Sequence, residues 1–225
     1  NTVLRAHISE QVKPGVVYTT FHHPLSGANV VLLNSDTIVS RGWLDALLEA
    51  GCERILIAPL YPHYSGATTA SALDAVADWI KARRRLPALR TLPPYHDDPA
   101  YIGALHADLA RQIDTLDFTP ELLMLSYHGM PERTLHLGDP YHCHCRKTSR
   151  LVAERFAATH PALRIETTFQ SRFGRAKWLE PATDTVLIAE GQKGTKAIAI
   201  AAPGFSADCL ETLEELAIRG KEDFV

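Results

Sequence analysis

A chain of 225 residues is long enough for one large domain or two smaller ones, each with a hydrophobic core. Its 46% hydrophobic and 22% charged residues are ordinary for a globular protein, and a net charge of −3 gives no electrostatic reason to expect a nucleic-acid partner. No apolar run approaches the ~18 residues of a membrane span, and no signal peptide opens the chain. We therefore expect a cytoplasmic protein without a transmembrane segment, for which peripheral membrane association stays open.

Residues 1–33 differ in pattern from the rest of the chain. Val16–Phe21 is β-branched and aromatic, and Ala28–Leu33 is again extended and apolar, so both are predicted strands. With the turn between them, Pro14–Val31 resembles the C-terminal molybdopterin-dinucleotide-binding domain of formate dehydrogenase large subunits. The resemblance brings no metal ligand and no activity with it. It indicates that residues 1–33 are a foreign β segment, either a chimera or a misassembly.

From about residue 40 the period changes, and predicted helices alternate with predicted strands. In the first half the predicted helices and strands are Trp43–Leu48, Arg54–Leu60, Ala70–Ile80, Leu89–Leu92 and Ile102–Ile113. In the second half they are Leu122–Tyr127, Pro140–Phe156, Leu163–Phe169, Pro181–Gly191, Lys196–Ala201 and Cys209–Arg219. The strand Leu163–Phe169 alternates with a period of two, which predicts one less buried face. We place the boundary between the halves at Asp114–Pro120.

This alternation is typical of an α/β fold with two Rossmann-like domains, each built on a parallel sheet. Right-handed crossovers place the loops that follow the strands at one edge of a sheet, where open α/β sheets bind their ligands. The residues predicted at this edge are His63, Tyr64, His128, Arg172, Trp178, Asp208 and Glu211.

The strand Leu122–Tyr127 runs directly into His128. A lone histidine in this position more often only caps a strand. Glu211 follows Asp208 at the spacing of a capping box, in which its carboxylate would accept from the Asp208 backbone N–H. The functional alternative is that Glu211 faces His128. An imidazole and a carboxylate together suit ferrous iron, and imidazole accepts protons near its ordinary pKa of about 6.5.

Residues 38–220 contain several short motifs whose order and spacing can be compared with those of known families. They are Pro59–Ser65, Tyr95–Pro99, Leu125–Pro131, Gly138–Tyr141, Thr168–Gly174 with Trp178–Leu179, and Pro203–Leu213. In this order and spacing they resemble ferrochelatases, the lyases of haem biosynthesis that insert Fe²⁺ into protoporphyrin IX. The resemblance implies chelatase-type domains, ferrous iron and protoporphyrin IX as substrates, and no organic cofactor.

The same resemblance assigns roles to residues within these motifs. His128 and Glu211 match the family's iron-binding and proton-accepting pair. The residues assigned to substrate binding are Tyr61, Tyr64, Arg172, Trp178 and Asp208. For Arg172 two interpretations stay open, because a guanidinium can pair with a porphyrin propionate or brace a neighbouring loop.

The chain departs from a complete member of that family. We divide it into the foreign segment 1–33, a truncated first chelatase domain at 34–118, and a second domain at 119–225 that carries His128 and Glu211. We expect the truncation to impair insertion. The alternatives are an inactive tetrapyrrole- or metal-binding fragment, a chelatase for coproporphyrin or another divalent metal, and, on residues 1–33 alone, a formate dehydrogenase subunit.

The run His142–Cys145 contains four metal-ligand side chains. Structural zinc sites usually have roughly two to four residues between paired cysteines, whereas Cys143 and Cys145 are separated by His144 alone, and alternate positions on a helix point to different sides. An iron–sulfur cluster needs thiolates that come together, whereas Cys52 lies in the other half from Cys143, Cys145 and Cys209. We interpret the run as the first turn of a helix, expect no iron–sulfur cluster, and expect all four thiols to be reduced.

Overall fold

The computed structural model describes residues 28–33, 41–206 and 208–224. These residues belong to two compact units. The first holds the described residues up to Tyr61 together with Ser65–Pro94, and the second holds Pro62–Tyr64 and the described residues from Tyr95 onward. Both units are α/β with parallel sheets, as the alternation of apolar patterns predicts.

The first unit is built on a parallel sheet with the strand order β1-β2-β3. Its elements are β1 (Ala28–Leu33), α1 (Arg41–Glu49), β2 (Arg54–Pro59), a π-helical turn (Gly66–Ala70), α2 (Ser71–Lys81) and β3 (Ala88–Thr91). These elements confirm the predicted strands and helices of this part of the chain. The predicted strand Val16–Phe21 lies outside the described residues.

The core of the first unit explains why these segments form helices and strands. Leu44 of α1, Ile57 of β2 and Trp79 of α2 are completely buried, because their spacing turns them to one side of each element. Full burial of such a side chain stabilises the fold by about 1.5–3 kcal/mol. Gly51 follows α1 with φ of 78°, a left-handed conformation that glycine adopts without steric cost.

The second unit has the strand order β5-β4-β6, with all pairs parallel. Its strands are β4 (Leu122–His128), β5 (Arg164–Gln170) and β6 (Ile198–Ala201). Its helical elements are α3 (Pro99–Asp114), α4 (Glu132–His136), α5 (Tyr141–Thr159), α6 (Thr183–Lys193), a π-helical segment (Glu211–Arg219) and α7 (Gly220–Phe224). The short helices α4 and α7 are the two of this list that the sequence pattern did not predict.

Strand β4 lies at the centre of this unit and sends alternate residues into two different packing layers. Leu123 and Leu125 pack in the cluster that includes residues of α3 and α5, whereas Leu122 and Met124 pack with Leu187 of α6. Every residue of β4 before His128 is buried. The strand therefore presents its first partly exposed side chain at its carboxyl end, at His128.

Helix α3 belongs to the second unit, so the boundary between the units lies earlier in the chain than we predicted. We predicted a boundary at Asp114–Pro120, after this helix. In the structure Ile102 and Leu109 of α3 pack with Val152 and Phe156 of α5, so the compact units divide before α3. The wider assignment of residues 34–118 and 119–225 to two domains stays a prediction.

One prediction about local structure was wrong. The predicted one-sided burial of β5 is absent: its burial increases along the strand, from an exposed Arg164 to a buried Gln170. The predicted helix Cys209–Arg219 is present from Glu211 to Arg219, in the π-helical form.

Candidate active site at the end of strand β4

His128 is held at the carboxyl end of β4 by two hydrogen bonds. The Tyr141 hydroxyl donates to the His128 carbonyl oxygen at 3.0 Å. The His128 ring nitrogen Nδ1 lies 2.6 Å from the Gly129 carbonyl oxygen. Because a carbonyl oxygen can only accept, Nδ1 must carry the hydrogen, which leaves the lone pair on Nε2. Nε2 is therefore the nitrogen that can bind a metal ion or accept a proton.

Glu211 is the first residue of the π-helical segment and is electrostatically coupled to His128. Its own backbone N–H lowers the pKa of its carboxyl group most, followed by the Cys209 thiol, while burial opposes them and attraction to His128 adds to the lowering. The carboxylate is thus ionised at neutral pH. The two residues that the sequence singled out are thus within range of an electrostatic interaction, and their action as a pair stays a prediction.

The start of the π-helical segment is stabilised differently from the predicted capping box. The Thr212 hydroxyl donates to Asp208 Oδ1 at 3.1 Å, and the Cys209 backbone N–H donates to Thr212 Oγ1 at 3.0 Å. Asp208 and Thr212 therefore take the capping contacts that the sequence assigned to Glu211. The Glu211 carboxylate instead interacts with its own N–H, with Cys209 and with His128.

Trp178 covers the backbone that follows His128. It is 8% exposed, and its indole N–H donates to the Phe173 carbonyl oxygen at 3.0 Å. A Cβ added at Gly129 would lie 3.2 Å from Trp178 Cε3 and 2.5 Å from the Gln170 carbonyl oxygen. Glycine is therefore required directly after His128, because the backbone there passes too close to its neighbours for any side chain.

Arg172 forms the brace that was one of its two interpretations. Its guanidinium Nη2 donates to both carboxylate oxygens of Asp184, at 2.8 and 2.5 Å, in the first turn of α6. Arg172 and Trp178 line a cavity of about 450 Å³ together with Glu215. Neither His128 nor Glu211 lines that cavity, and a propionate contact for Arg172 stays a prediction.

The two tyrosines assigned to substrate binding fall in different units. Tyr61 follows β2 in the first unit, whereas Tyr64 belongs to the second. The backbone N–H of Tyr64 donates to His144 Nδ1 at 3.2 Å. Their contact with a substrate stays a prediction.

His63 is not part of the His128 site, although both were predicted at one edge. It is 2% exposed, and its Nε2 lies 2.9 Å from Thr148 Oγ1. The Thr148 hydroxyl donates to the His96 carbonyl oxygen at 2.6 Å, so His63 must be the donor to Thr148. Burial, with the neighbouring His96 and His144, lowers the pKa of His63 to about 3. His63 is a neutral, structural imidazole.

The other histidines of that region are also held by their neighbours. The His96 and His144 rings stack at 3.6 Å with an interplanar angle of 8°. Burial is the largest contribution that lowers the pKa of His96 to about 4, and it lowers the pKa of His144 as well. We name His63, His96 and His144 the histidine cluster. Its members are neutral at pH 7 because a charge among them would be desolvated and repelled.

A polar network below the site escaped the sequence analysis. The Ser126 hydroxyl donates to Gln170 Oε1 at 2.7 Å, and the Thr183 hydroxyl lies 2.8 Å from Ser126 Oγ and 2.9 Å from Thr168 Oγ1. All four side chains are buried. One signal was readable: Ser126, Thr168 and Gln170 interrupt the apolar pattern at the ends of β4 and β5.

The run His142–Cys145 lies in the first turns of α5, as predicted. Cys143 is exposed and Cys145 is fully buried, and burial raises the pKa of the Cys145 thiol well above its ordinary value. Within the described ranges, no group of three or more histidine, cysteine, aspartate and glutamate side chains is arranged to hold a metal ion. The described helices include none with the length and apolar character needed to cross a membrane.

Comparison with known proteins identifies the family. A model of the family Ferrochelatase matches residues 39–225. A protein named Ferrochelatase from Rhizobium meliloti (strain 1021) is 49% identical over 188 residues, which cover 84% of this chain and 54% of that protein. A second Ferrochelatase, from Methylibium petroleiphilum, is 51% identical over 185 residues, or 81% of this chain and 49% of that protein. The chain thus spans about half the length of the curated relatives it matches, and it belongs to the ferrochelatase family.

Proposed function

We propose that this chain carries the catalytic pair of a ferrochelatase, a lyase that inserts Fe²⁺ into protoporphyrin IX to form protohaem. The observation that carries the proposal is that Gln170 lies opposite His128 in the sheet and donates to the Glu211 backbone carbonyl, which keeps both residues near the carboxyl end of β4. An imidazole with a lone pair on Nε2 and a carboxylate are borderline and hard ligands that together suit ferrous iron. Fe²⁺ is the substrate, and the pair would bind it only until the porphyrin takes it over.

The reaction also requires bases. The free porphyrin carries two pyrrole N–H groups, and both protons must leave as the Fe²⁺–nitrogen bonds form, so the products are haem and two H⁺. A base close to the macrocycle lowers the barrier to this transfer. His128 Nε2 and the Glu211 carboxylate can each accept one proton. No oxidant or reductant is needed, because the iron stays ferrous.

The remaining roles follow from family membership and stay part of the proposal. Trp178 and Tyr64 would contact the macrocycle, and Asp208 would stand beside Glu211 at the start of the π-helical segment. Tyr61 would also bind the substrate. Arg172 would serve as the Asp184 brace, with a propionate contact as the competing role.

We infer further that the protein works in the cytoplasm without an organic cofactor or an iron–sulfur cluster. In support, all four cysteines are free thiols, and Cys52 belongs to a different compact unit from Cys143, Cys145 and Cys209. Peripheral contact with a membrane stays open. Iron and acid-labile sulfide analysis of the purified protein tests the expected lack of a cluster.

The origin of residues 1–33 is a separate proposal. We infer that they derive from a formate-dehydrogenase-like protein, which is consistent with a family match that begins at residue 39. Sequencing the gene across the codons for residues 30–40 tests this. A single intact reading frame in independent isolates would make the junction genuine, whereas a frame break would mark it as a misassembly.

Metal insertion into protoporphyrin, followed by the change in porphyrin fluorescence with Fe²⁺ or Zn²⁺, tests the proposed function. His128→Ala and Glu211→Gln are each expected to slow insertion by about 10²- to 10⁴-fold, the range for loss of a general base. The matched controls are His136→Ala and Glu222→Gln, at exposed positions of α4 and α7, which should retain the parent rate.

The same assay separates the alternatives. If the chain changes the porphyrin absorbance spectrum without inserting metal, and His128→Ala gives the same change, the chain is a binding fragment. This result would contradict the proposal. Faster turnover with coproporphyrin, or with Co²⁺ or Ni²⁺, would keep the chelatase class and change its substrate.

A further inference from the structure

Gln170, at the end of β5, stands directly beside His128 in the register of the sheet. It is 2% exposed, although its side chain is an uncharged amide with both donor and acceptor groups. Burial of such a group is unfavourable unless each of its polar atoms is hydrogen-bonded. The polar atoms of Gln170 must therefore find their hydrogen-bond partners within the protein.

The backbone of Gln170 fixes the imidazole of His128. The Gly129 N–H donates to the Gln170 carbonyl oxygen at 2.7 Å. The carbonyl oxygen of Gly129 in turn accepts from His128 Nδ1 at 2.6 Å. The orientation of the imidazole is thus tied through Gly129 to β5.

The side chain of Gln170 fixes the backbone of Glu211. Its Nε2 donates to the Glu211 carbonyl oxygen at 3.0 Å, and its Oε1 accepts from Ser126 at 2.7 Å. Because the Glu211 carbonyl can only accept, the amide has one usable orientation, and the Ser126 hydroxyl stabilises that orientation by donating to Oε1. A single buried residue therefore holds both members of the proposed catalytic pair.

We propose that Gln170 is a positioning residue that sets the distance and orientation between His128 Nε2 and the Glu211 carboxylate. This inference rests on the proposed function of that pair. The network of Ser126, Thr183 and Thr168 keeps the Gln170 amide in its working orientation. Outer hydrogen-bond partners of metal ligands commonly change metal affinity or activity by about 10- to 100-fold when they are replaced.

Gln170→Leu is the direct test, because it keeps most of the side-chain volume and removes both polar contacts. We expect Zn²⁺ affinity, measured by calorimetry on the chain without porphyrin, to fall about 10- to 100-fold. We expect kcat for insertion to fall by a similar factor while KM for porphyrin changes less than about twofold, because the effect lies in the pair's geometry. Gln192→Leu, at an exposed position of α6, is the matched control.

Gln170→Glu separates positioning from general folding. The introduced carboxyl keeps an acceptor for Ser126, but when ionised it cannot donate to the Glu211 carbonyl oxygen. When protonated it can donate again, so the kcat of this variant relative to the parent at the same pH should rise as pH falls. A merely structural role would not produce this recovery.

Ser126→Ala covers the case in which the Gln170 variants do not fold. It removes only the hydroxyl that donates to the Gln170 Oε1, and we expect a smaller loss of Zn²⁺ affinity, about threefold to tenfold. Unchanged Zn²⁺ affinity and kcat in folded Gln170→Leu and Ser126→Ala would overturn the proposal for Gln170. Full activity of His128→Ala would instead overturn the proposed function, so the two failures are distinguishable.

Discussion

The second unit contains two histidine environments that differ in chemistry, although His63 and His128 both follow a strand in the sequence. In the histidine cluster, His63 donates to Thr148, and His144 accepts from the Tyr64 backbone N–H. At the end of β4, His128 uses only its Nδ1–H to hold its orientation, and Glu211 stands near it. A high local density of histidines marks the structural region here, whereas a single histidine beside a carboxylate marks the proposed active site.

The two regions differ in how their electrostatics are balanced. In the histidine cluster, burial and mutual repulsion lower the pKa of the imidazoles, so the rings stay neutral at pH 7. At the site, hydrogen bonds and attraction to His128 lower the pKa of the Glu211 carboxyl, so this group stays negatively charged at pH 7. A substrate cation is therefore attracted to the second region, whereas the neutral imidazoles of the first region carry no charge that would attract it.

His63→Ala should produce the largest change in stability. It removes a fully packed ring and leaves Thr148 without its donor, which we expect to destabilise the second unit by about 2–4 kcal/mol. Urea unfolding measures this loss. The rate of metal insertion per folded molecule should stay within about twofold of the parent. A large loss of kcat in the folded fraction would show that His63 also serves the reaction and would contradict the comparison.

Gly129→Ala should disturb the site rather than the histidine cluster. The added Cβ would meet the Gln170 carbonyl oxygen at 2.5 Å, which is backbone and cannot rotate away. We expect a loss of about 1–3 kcal/mol in stability. We also expect about a 10-fold or greater fall in insertion, because Gly129 orients the His128 ring. Gly138→Ala is not a matched control because φ there is 93°, so Gly103→Ala in α3, with only a flexible Arg155 tip nearby, serves instead.

The histidine cluster predicts how stability depends on pH. The folded-state pKa of His63 is about 3, below its ordinary 6.5, so the unfolded chain binds more protons between these values. The stabilisation is complete above pH 6.5 and is lost as pH falls towards 3; between pH 7 and 5 it decreases by about 2 kcal/mol for His63. His96 shifts in the same direction, with a pKa of about 4.

Urea unfolding at pH 7, 6 and 5 measures that dependence. His63→Gln is the informative variant, because its amide can donate to Thr148 but does not titrate. Its stability should fall less steeply over this range than that of the parent. Identical slopes for the two proteins would show that His63 is not a neutral buried group.

Arg172→Ala should have the smallest effect. Its ion pair with Asp184 is about half exposed, with side-chain exposures of 41% and 49%. Such pairs contribute roughly 0–1 kcal/mol, so the melting temperature should change by at most about 4 °C. A clear rise in KM for protoporphyrin, without such a change for its dimethyl ester, would favour the propionate contact over the brace.

Much of the fold follows from local patterns. The continuous apolar run before His128 predicted the central strand β4, and the helical spacing of Leu44 and Leu47 predicted α1. These elements are predictable because their buried faces repeat within a few residues. The roles of His128 and Glu211 came from the resemblance to ferrochelatases, because their positions alone favoured a strand cap for His128 and a helix cap for Glu211.

The rest depends on contacts that no local pattern contains. Gln170 and Ser126 are 44 residues apart in sequence, and their hydrogen bond exists only once β4 and β5 pair. The π-helical form of Glu211–Arg219 also differs from the α-helix that its composition favours. His63 was predicted beside His128 because both follow a strand, and only packing against Tyr127 and Thr148 separates them.

Zn²⁺ titration of the ¹⁵N-histidine-labelled chain, followed by NMR, tests the central claim most directly. The account predicts that the His128 Nε2 signal moves on addition of Zn²⁺ while its Nδ1 stays protonated, and that Glu211→Gln weakens this response. The signals of His63, His96 and His144 should stay in place. A Zn²⁺ response confined to the histidine cluster, with His128 unchanged, would contradict it.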